Sequence, residues 1–386
     1  MDKPDAHTIR IEDDPSHIDR ATWNALLERQ AHPTPFMRHE YLAALHASGS
    51  AVPDTGWSPH FLTLWQGESL KAASVLHLKA HSYGEYVFDW AWADAYERHG
   101  LPYYPKLLCA VPFTPVSGTR LLSTDEASRT LLARAATQLV QDNDLSSCHL
   151  LFGDESDIAA AEGQGWMRRS SIQFHWHNAG EPYGDFAHFL GTLQREKRKK
   201  IQQERRRVTE AGVEFKVHEG EEIDTSLWDF FYRCYARTYR AHHSTPYLTR
   251  DFFSRMASDM AQHWVMFVAL QDGRRIAASL IAVDKAHGVA WGRYWGAVEH
   301  VPLLHFEACY YQPLQWCIAQ RYRRFEGGAQ GEHKMARGLL PVRTHSAHWL
   351  AHPRFAGAVS EFLEREGAGI DAYVDELRER NPFKAA

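Results

Sequence analysis

The densest run of chemically capable residues lies at 326–337. There Gly327, Gly328 and Gly331 bracket Gln330 and lead into Glu332, His333 and Lys334, with Arg337 close behind. Glycine lets a backbone approach a ligand closely. A carboxylate beside an imidazole can remove a proton from an attacking amine, and the two cations can hold anionic groups. A Gly-rich surface loop with solvated charges would give the same pattern. A second run is 291–296, where Gly292 and Gly296 inside a strand mark a bulge or a close backbone approach. Strand alternation puts Arg293 and Trp295 on one face and Tyr294 on the other. His305 and Glu307 enter the helix that follows. Glu307 is a candidate base, although a carboxylate at a helix start also simply complements the dipole.

Two further sets stand apart. His175 and His177, at i and i+2, face the same way on a strand. They are read as substrate-contacting or structural, because no paired cysteines or carboxylate cluster completes a metal site. Asp89 ends a strand beside Trp90, where an acceptor pocket would be lined by aromatic rings; a capped loop fits equally. Residues 195–207 carry eight Lys or Arg against two Glu. Lys197, Arg198, Lys199, Lys200, Arg205, Arg206 and Arg207 are read as contacts to donor phosphate or tRNA, to an anionic lipid surface, or as a solvated helix face.

The elements that must position these residues fall into two series. The first predicts a strand at 8–11, helices at 19–29 and 39–48, strands at 60–65, 70–79 and 86–90, a helix at 125–143, and strands at 149–152 and 171–176. The second predicts a helix at 187–211 stopped by Gly212, a strand at 213–218, helices at 226–242 and 249–261, and a meander at 265–270, 276–284 and 289–295. A helix at 305–320, a strand at 323–326 and a helical C-terminus complete it. The repeated order implies a mixed α/β fold of two similar halves, 1–180 and 181–386, divided near 178–184 where Gly and Pro interrupt the pattern.

A formal charge of −5, with 24 histidines counted neutral, gives no global basic character that would advertise nucleic acid. The five cysteines form no CxxC pair, the first 14 residues are polar and acidic, and no apolar run reaches the length of a membrane span. Those features imply reduced thiols and a cytoplasmic protein without a transmembrane segment. No Walker-type loop, GxGxxG or GxSxG elbow occurs, so a covalent acyl-enzyme is not expected.

Five stretches carry a family resemblance: 82–90 (Ser-Tyr-Gly-Glu-Tyr-Val-Phe-Asp-Trp), 173–178 (Gln-Phe-His-Trp-His-Asn), 246–250 (Pro-Tyr-Leu-Thr-Arg), 292–296 (Gly-Arg-Tyr-Trp-Gly) and 327–334 (Gly-Gly-Ala-Gln-Gly-Glu-His-Lys). Through them the chain resembles the FemAB-like branch of the GNAT superfamily, over about residues 35–348. The resemblance implies tandem GNAT-like domains, and relatives that add amino acids to peptidoglycan precursors from aminoacyl-tRNA. It makes Lys334 the counterpart of a lysine that contacts the substrate region after the last core strand. It also makes 291–296 the strand whose backbone N–H groups stabilise an oxyanion. One departure matters: residues 300–305 (His-Val-Pro-Leu-Leu-His) lack the glycines that cradle coenzyme A pyrophosphate in ordinary GNAT enzymes.

The resulting expectation is an N-acyltransferase by direct attack of an amine on an activated ester, with no tightly bound cofactor and aminoacyl-tRNA or acyl-CoA as co-substrate. Glu332, His333, Lys334 and Glu307 form the catalytic set. Asp89, Trp90, His175, His177, Arg293, Trp295, His305, Gln330 and Arg337 contact an amine-bearing small molecule or peptide. Two competing readings are an acyl-CoA-dependent acetyltransferase of a small amine and a non-catalytic binder of cell-wall fragments or RNA.

Overall fold

A computed structural model describes residues 7–178, 180–329 and 331–384. The chain forms two compact units, and neither is a continuous stretch: one is Met1–Ser171 with Arg343–Ala372, the other Ile172–Val342 with Tyr373–Ala386.

The first unit contains β1 (His7–Glu12), α1 (Arg20–Glu28), α2 (His39–Ala47), β2 (Trp57–Gln66), β3 (Ser69–Lys79), α3 (Trp90–Arg98), β4 (Lys106–Cys109), β5 (Leu121–Ser123), α4 (Glu126–Asp142), β6 (Ser147–Gly153) and α5 (Glu155–Glu162). The chain continues through β7 (Met167–His177), α6 (Phe186–Thr192), α7 (Arg195–Glu210), β8 (Val213–Glu219), α8 (Thr225–Ala241), α9 (Arg250–Asp259), β9 (Trp264–Gln271), β10 (Arg274–Asp284) and β11 (Val289–Ala297). Next comes a helix in three parts: α10 (Leu304–Phe306), a π turn (Glu307–Tyr311) and α11 (Gln312–Ala319). It is followed by β12 (Arg324–Ala329), a 3-10 turn (Glu332–Arg337), β13 (Leu340–Leu350) and α12 (Pro353–Glu379).

Local chemistry accounts for many boundaries. Asp19, Asp125 and Asp224 accept from the backbone N–H groups of Thr22, Ser128 and Leu227 at 2.7–2.8 Å, capping α1, α4 and α8. The β9–β10 hairpin turns on Asp272 and Gly273, both left-handed at φ 51° and 72°, as a tight two-residue turn requires.

Strand order in the first unit is β1-β2-β3-β4-β6-β13, with β5 on β3; the second runs β8-β9-β10-β11-β12-β7. In both, the first three junctions are antiparallel, the fourth is parallel (β4–β6, β11–β12) and the fifth antiparallel (β6–β13, β12–β7). The duplication expected from element order is therefore one of topology. Each sixth strand comes from outside its unit's main run of sequence. Thus residues 343–372, expected with 181–386, pack with the first unit. Leu62, Leu76, Leu107, Cys148, Leu150 and Ala347 share its core beneath α4 and α5.

Several elements differ from expectation. Residues 86–89 form a loop leading into α3, not a strand, because Ser82, Glu85 and Asp89 turn inward onto Lys106 instead of alternating. The expected helix 187–211 is two helices, broken at Leu193 and Gln194, whose backbones pair with the C-terminal segment. The C-terminus is helical only from Pro353. Before it lies β13, whose polar Thr344, Ser346 and His348 are buried and give no hydrophobic alternation to read.

Candidate functional site

In the second unit the parallel pairing of β11 and β12 lasts three residues, Val289–Arg324, Ala290–Phe325 and Trp291–Glu326. Beyond Trp291 the strands part. On its other edge β11 bulges at Arg293, because Leu280 pairs with Tyr294 while the next residue, Ile281, pairs with Gly292. The bulge breaks the expected alternation. The Arg293 guanidinium lies 4.9 Å from the Tyr294 ring centroid and donates to the Tyr294 hydroxyl at 3.1 Å, whereas Trp295 packs on His305, centroids 5.5 Å apart. The two glycines of the strand do different work. A Cβ on Gly296 would lie 2.1 Å from the Cys234 carbonyl oxygen of α8, so Gly296 is a packing residue. One on Gly292 would lie 3.2 Å from the Phe325 ring, narrowing the opening.

That opening is a cavity of about 150 Å³ whose walls include Ser279, Ile281, Gly292, Arg293, Phe325 and Gly327. Tyr294, Trp295, His305, Cys309 and Tyr310 line it too. A second cavity, about 440 Å³, shares Trp295 and His305 with the first and reaches Arg237, His242, His300 and Leu303 at the start of α10. Residues 300–305, which lack the glycines of a pyrophosphate loop, thus border a cavity. Leu303 itself adopts φ 67° to admit the chain to the helix.

The π turn after α10 decides what faces the first cavity. His305 and Tyr310, five residues apart, meet with ring centroids 5.8 Å apart, a spacing that an α-helix would not bring to one face. Tyr310 was therefore invisible to helical periodicity. Its hydroxyl lies 3.4 Å from His333 Nε2, and Phe306 packs on His333 at 5.6 Å. Burial, then Arg337 and Lys334, hold the His333 imidazole below its ordinary pKa; burial pushes His305 down to about 4. Both rings are neutral at pH 7, and a neutral imidazole can accept a proton. Burial raises the Tyr310 hydroxyl, which stays protonated.

The other candidates divide by what they touch. Lys334 Nζ donates to the carbonyls of Gly327, Gly328 and Ala329 at 2.7, 3.2 and 2.8 Å, and burial lowers its pKa to about 8. It fastens the end of β12. Glu332 is exposed and tied to Arg380 (2.7 Å) and Tyr373 (3.0 Å). Arg337 is buried, donating to Glu204 (2.8 Å) and the His333 carbonyl (2.7 Å) over the Phe306 ring. Glu307 is buried against Arg205, which reaches both carboxylate oxygens at 3.0–3.2 Å. Gln330 lies outside the described residues.

His175 and His177 sit on β7 against β12. Burial drives His175 to about 3, and its Nε2 lies 3.9 Å from Glu326, a buried carboxyl raised by burial to about 7. In the first unit, Asp89 joins a buried network: Lys106 Nζ contacts Asp89, Glu85 (2.8 Å) and Ser82 (2.8 Å), and Tyr103 donates to Asp89 at 2.6 Å. Trp90, its neighbour, is exposed and meets Tyr83 edge-on at 5.1 Å.

The basic helix α7 buries Ile201, Glu204 and Val208. Arg205 turns inward to Glu307 and Gln315, so it is not part of the solvent face. Lys199, Lys200, Arg206 and Arg207 are exposed, Lys197 and Arg198 half-buried. Among the described residues no helix is long and apolar enough to cross a membrane.

Comparison with known proteins adds a family. The profile of the FemAB-like family, described as peptidoglycan biosynthesis/recognition, matches residues 14–385. Among solved structures, FemX superposes with a TM-score of 0.56 at 8% identity, over 91% of this chain and 100% of FemX. L-PGS from Bacillus licheniformis gives 0.54 at 12%, over 89% and 97%. The C-terminal domain of a putative lysylphosphatidylglycerol synthetase from Agrobacterium fabrum gives 0.53 at 11%, over 91% and 97%. None of the curated proteins matches the sequence at a significant level.

Proposed function

The chain is an acyltransferase-type enzyme of the FemAB-like family, and from that premise we propose that it joins an acyl group to an amine nitrogen at the opening between β11 and β12. The reading rests chiefly on one observation. The parallel ladder stops at Trp291, a cavity of about 150 Å³ opens beside Gly292, and the Tyr310 hydroxyl in its wall contacts His333.

In this mechanism the acyl carbonyl enters the opening and the backbone N–H groups near Gly292 receive the developing oxyanion. The amine lone pair forms the C–N bond as the ester or thioester bond breaks. The ammonium proton passes to His333, through Tyr310 or water, and the leaving group departs after taking up a proton. Holding the two reactants together supplies much of the acceleration. Lys334 positions the end of β12 and Glu307 anchors Arg205; neither is needed as a base. The acceptor is an amine-bearing small molecule or peptide, and the reaction takes place in the cytoplasm.

Two donors remain distinct. Aminoacyl-tRNA is supported by the exposed Lys199, Lys200, Arg206 and Arg207 of α7, a face that would equally approach an anionic lipid surface. Acyl-CoA is supported by the cavity of about 440 Å³ at the start of α10, with Arg237, His242 and His300 in its wall. Binding of purified protein to aminoacyl-tRNA and to acetyl-CoA at two salt concentrations separates them. Salt-sensitive tRNA binding that weakens when Lys199, Lys200, Arg206 and Arg207 are neutralised supports the first; tight coenzyme A binding without tRNA binding supports the second. The acyltransferase reading itself fails if no amide forms from either donor across a panel of amines.

A further inference from the structure

The walls of the smaller cavity bear on the acyl group itself. At about 150 Å³ it matches the size of cavity that holds one six-membered carbon ring, so it accommodates about six non-hydrogen atoms. Leu280, Ile281 and Phe325 supply apolar surface, and Tyr294, Tyr310, Ser279 and Cys309 supply hydroxyl and thiol groups. The Ser279 hydroxyl is committed, donating to the Ala308 carbonyl at 2.6 Å. The one permanent charge in the wall is the Arg293 guanidinium, carried by the bulge of β11; no aspartate or glutamate lines the cavity. The carboxylates around it are engaged elsewhere: Glu307 with Arg205, Glu326 with Arg324 at 3.0 Å, and Glu332 with Arg380.

An aminoacyl group would bring an ammonium to within one carbon of the reacting carbonyl. In this cavity it would meet a guanidinium and no carboxylate, a like-charge arrangement that is costly where water is excluded. A short acyl chain ending in a carboxylate meets the opposite situation, because arginine presents a planar fork of donors suited to that group. On the reading that this cavity receives the acyl group, we infer that the transferred group is a dicarboxylic half-acid acyl of about four or five carbons, succinyl or glutaryl in type, and not an aminoacyl group.

The test uses N-acetylcysteamine thioesters carrying succinyl, butyryl or glycyl groups, read in two arms: calorimetric binding to the full chain, and amide formation with a panel of amines by mass spectrometry. The native protein is expected to bind the succinyl thioester about tenfold more tightly than the butyryl one, the scale of a charge-assisted hydrogen bond, and the glycyl thioester most weakly. Arg293→Met should abolish the succinyl advantage while leaving butyryl binding within about twofold. Arg293→Lys should keep most of the advantage, and Arg293→Glu should shift preference towards glycyl. The inference is overturned if the native protein prefers the glycyl thioester, or if Arg293→Met weakens all three equally while Arg293→Lys does the same. If the binding order holds but no amide forms with any amine, the pocket assignment survives and the acyltransferase reading falls.

Discussion

Replacing Lys106 by methionine keeps the length of the side chain and removes one ammonium from the first unit. That ammonium is fully buried and contacts Ser82, Glu85 and Asp89, so it fixes three side chains of a single loop. Burial alone would raise the Asp89 carboxyl, but Lys106, then His149, pull it from 3.8 to about 2. At about 1.4 kcal/mol per pKa unit this is roughly 2.5 kcal/mol of stability, present above pH 3.8 and lost only as pH falls through 2. Glu85 is raised by burial to about 7 despite the same lysine. In Lys106→Met both carboxyls rise further, so the folded state favours their protonated forms. The cost at pH 8 should be about 3–5 kcal/mol, as for other broken buried ion pairs. At pH 5, where protonation relieves the ionisation penalty, it should fall towards about 2.5 kcal/mol. Urea unfolding at both pH values, with amide exchange read over residues 82–89, measures this. A loss below about 1 kcal/mol at pH 8, or a larger loss at pH 5 than at pH 8, would refute the reasoning.

Other expectations follow from single contacts. Gly296→Ala forces a methyl against the α8 backbone at Cys234 and should cost about 1–3 kcal/mol, seen as a lower urea midpoint; an unchanged midpoint would mean the helix can move aside freely. His333→Ala should lower kcat by about 10²-fold or more, with Tyr310→Phe producing a smaller loss in the same direction and little change in melting temperature; full activity in both variants removes the proposed proton path. Glu326 is buried with its pKa raised from 4.5 to about 7, so its contribution is present below pH 4.5 and lost as pH rises through 7. Glu326→Gln should therefore gain on the native protein by up to about 3 kcal/mol between pH 4.5 and 8, and parallel stability-against-pH curves for the two proteins would contradict the assignment.

The sequence made the local features legible and hid those that depend on distant partners. Capping aspartates, the Asp272-Gly273 turn and the meander of the second half are signals carried by adjacent residues, and each lies where its chemistry requires. Strand β13 gave no such signal, since the core accepts its polar face through contacts as remote as His149 with His348, 2.8 Å apart across 199 residues. The family resemblance pointed to the right segments, 291–296 and 326–337, yet could not divide labour within them. Glu332, Lys334 and Arg337 look as reactive as His333 when read in a row. Only the positions of Arg380, three backbone carbonyls and Glu204 reveal what each is bonded to. Likewise the basic run looks uniform, while the fold takes Arg205 out of it and hands it to Glu307.

The origin of each unit's sixth strand constrains how the protein can be made. When a ribosome has released residues 7–171, β6 has its parallel neighbour but presents a bare edge, because the strand that covers it, within residues 343–350, is not yet translated. The other half of the polypeptide receives its covering strand early, from residues 172–177, before β12 exists to accept it. An unpaired edge is a template for association with other chains. The nascent protein therefore carries such an edge for most of its synthesis, about ten seconds or more at bacterial elongation rates. A gene cut near residue 180 would leave that edge permanently open in one product and strip the closing strand from the other.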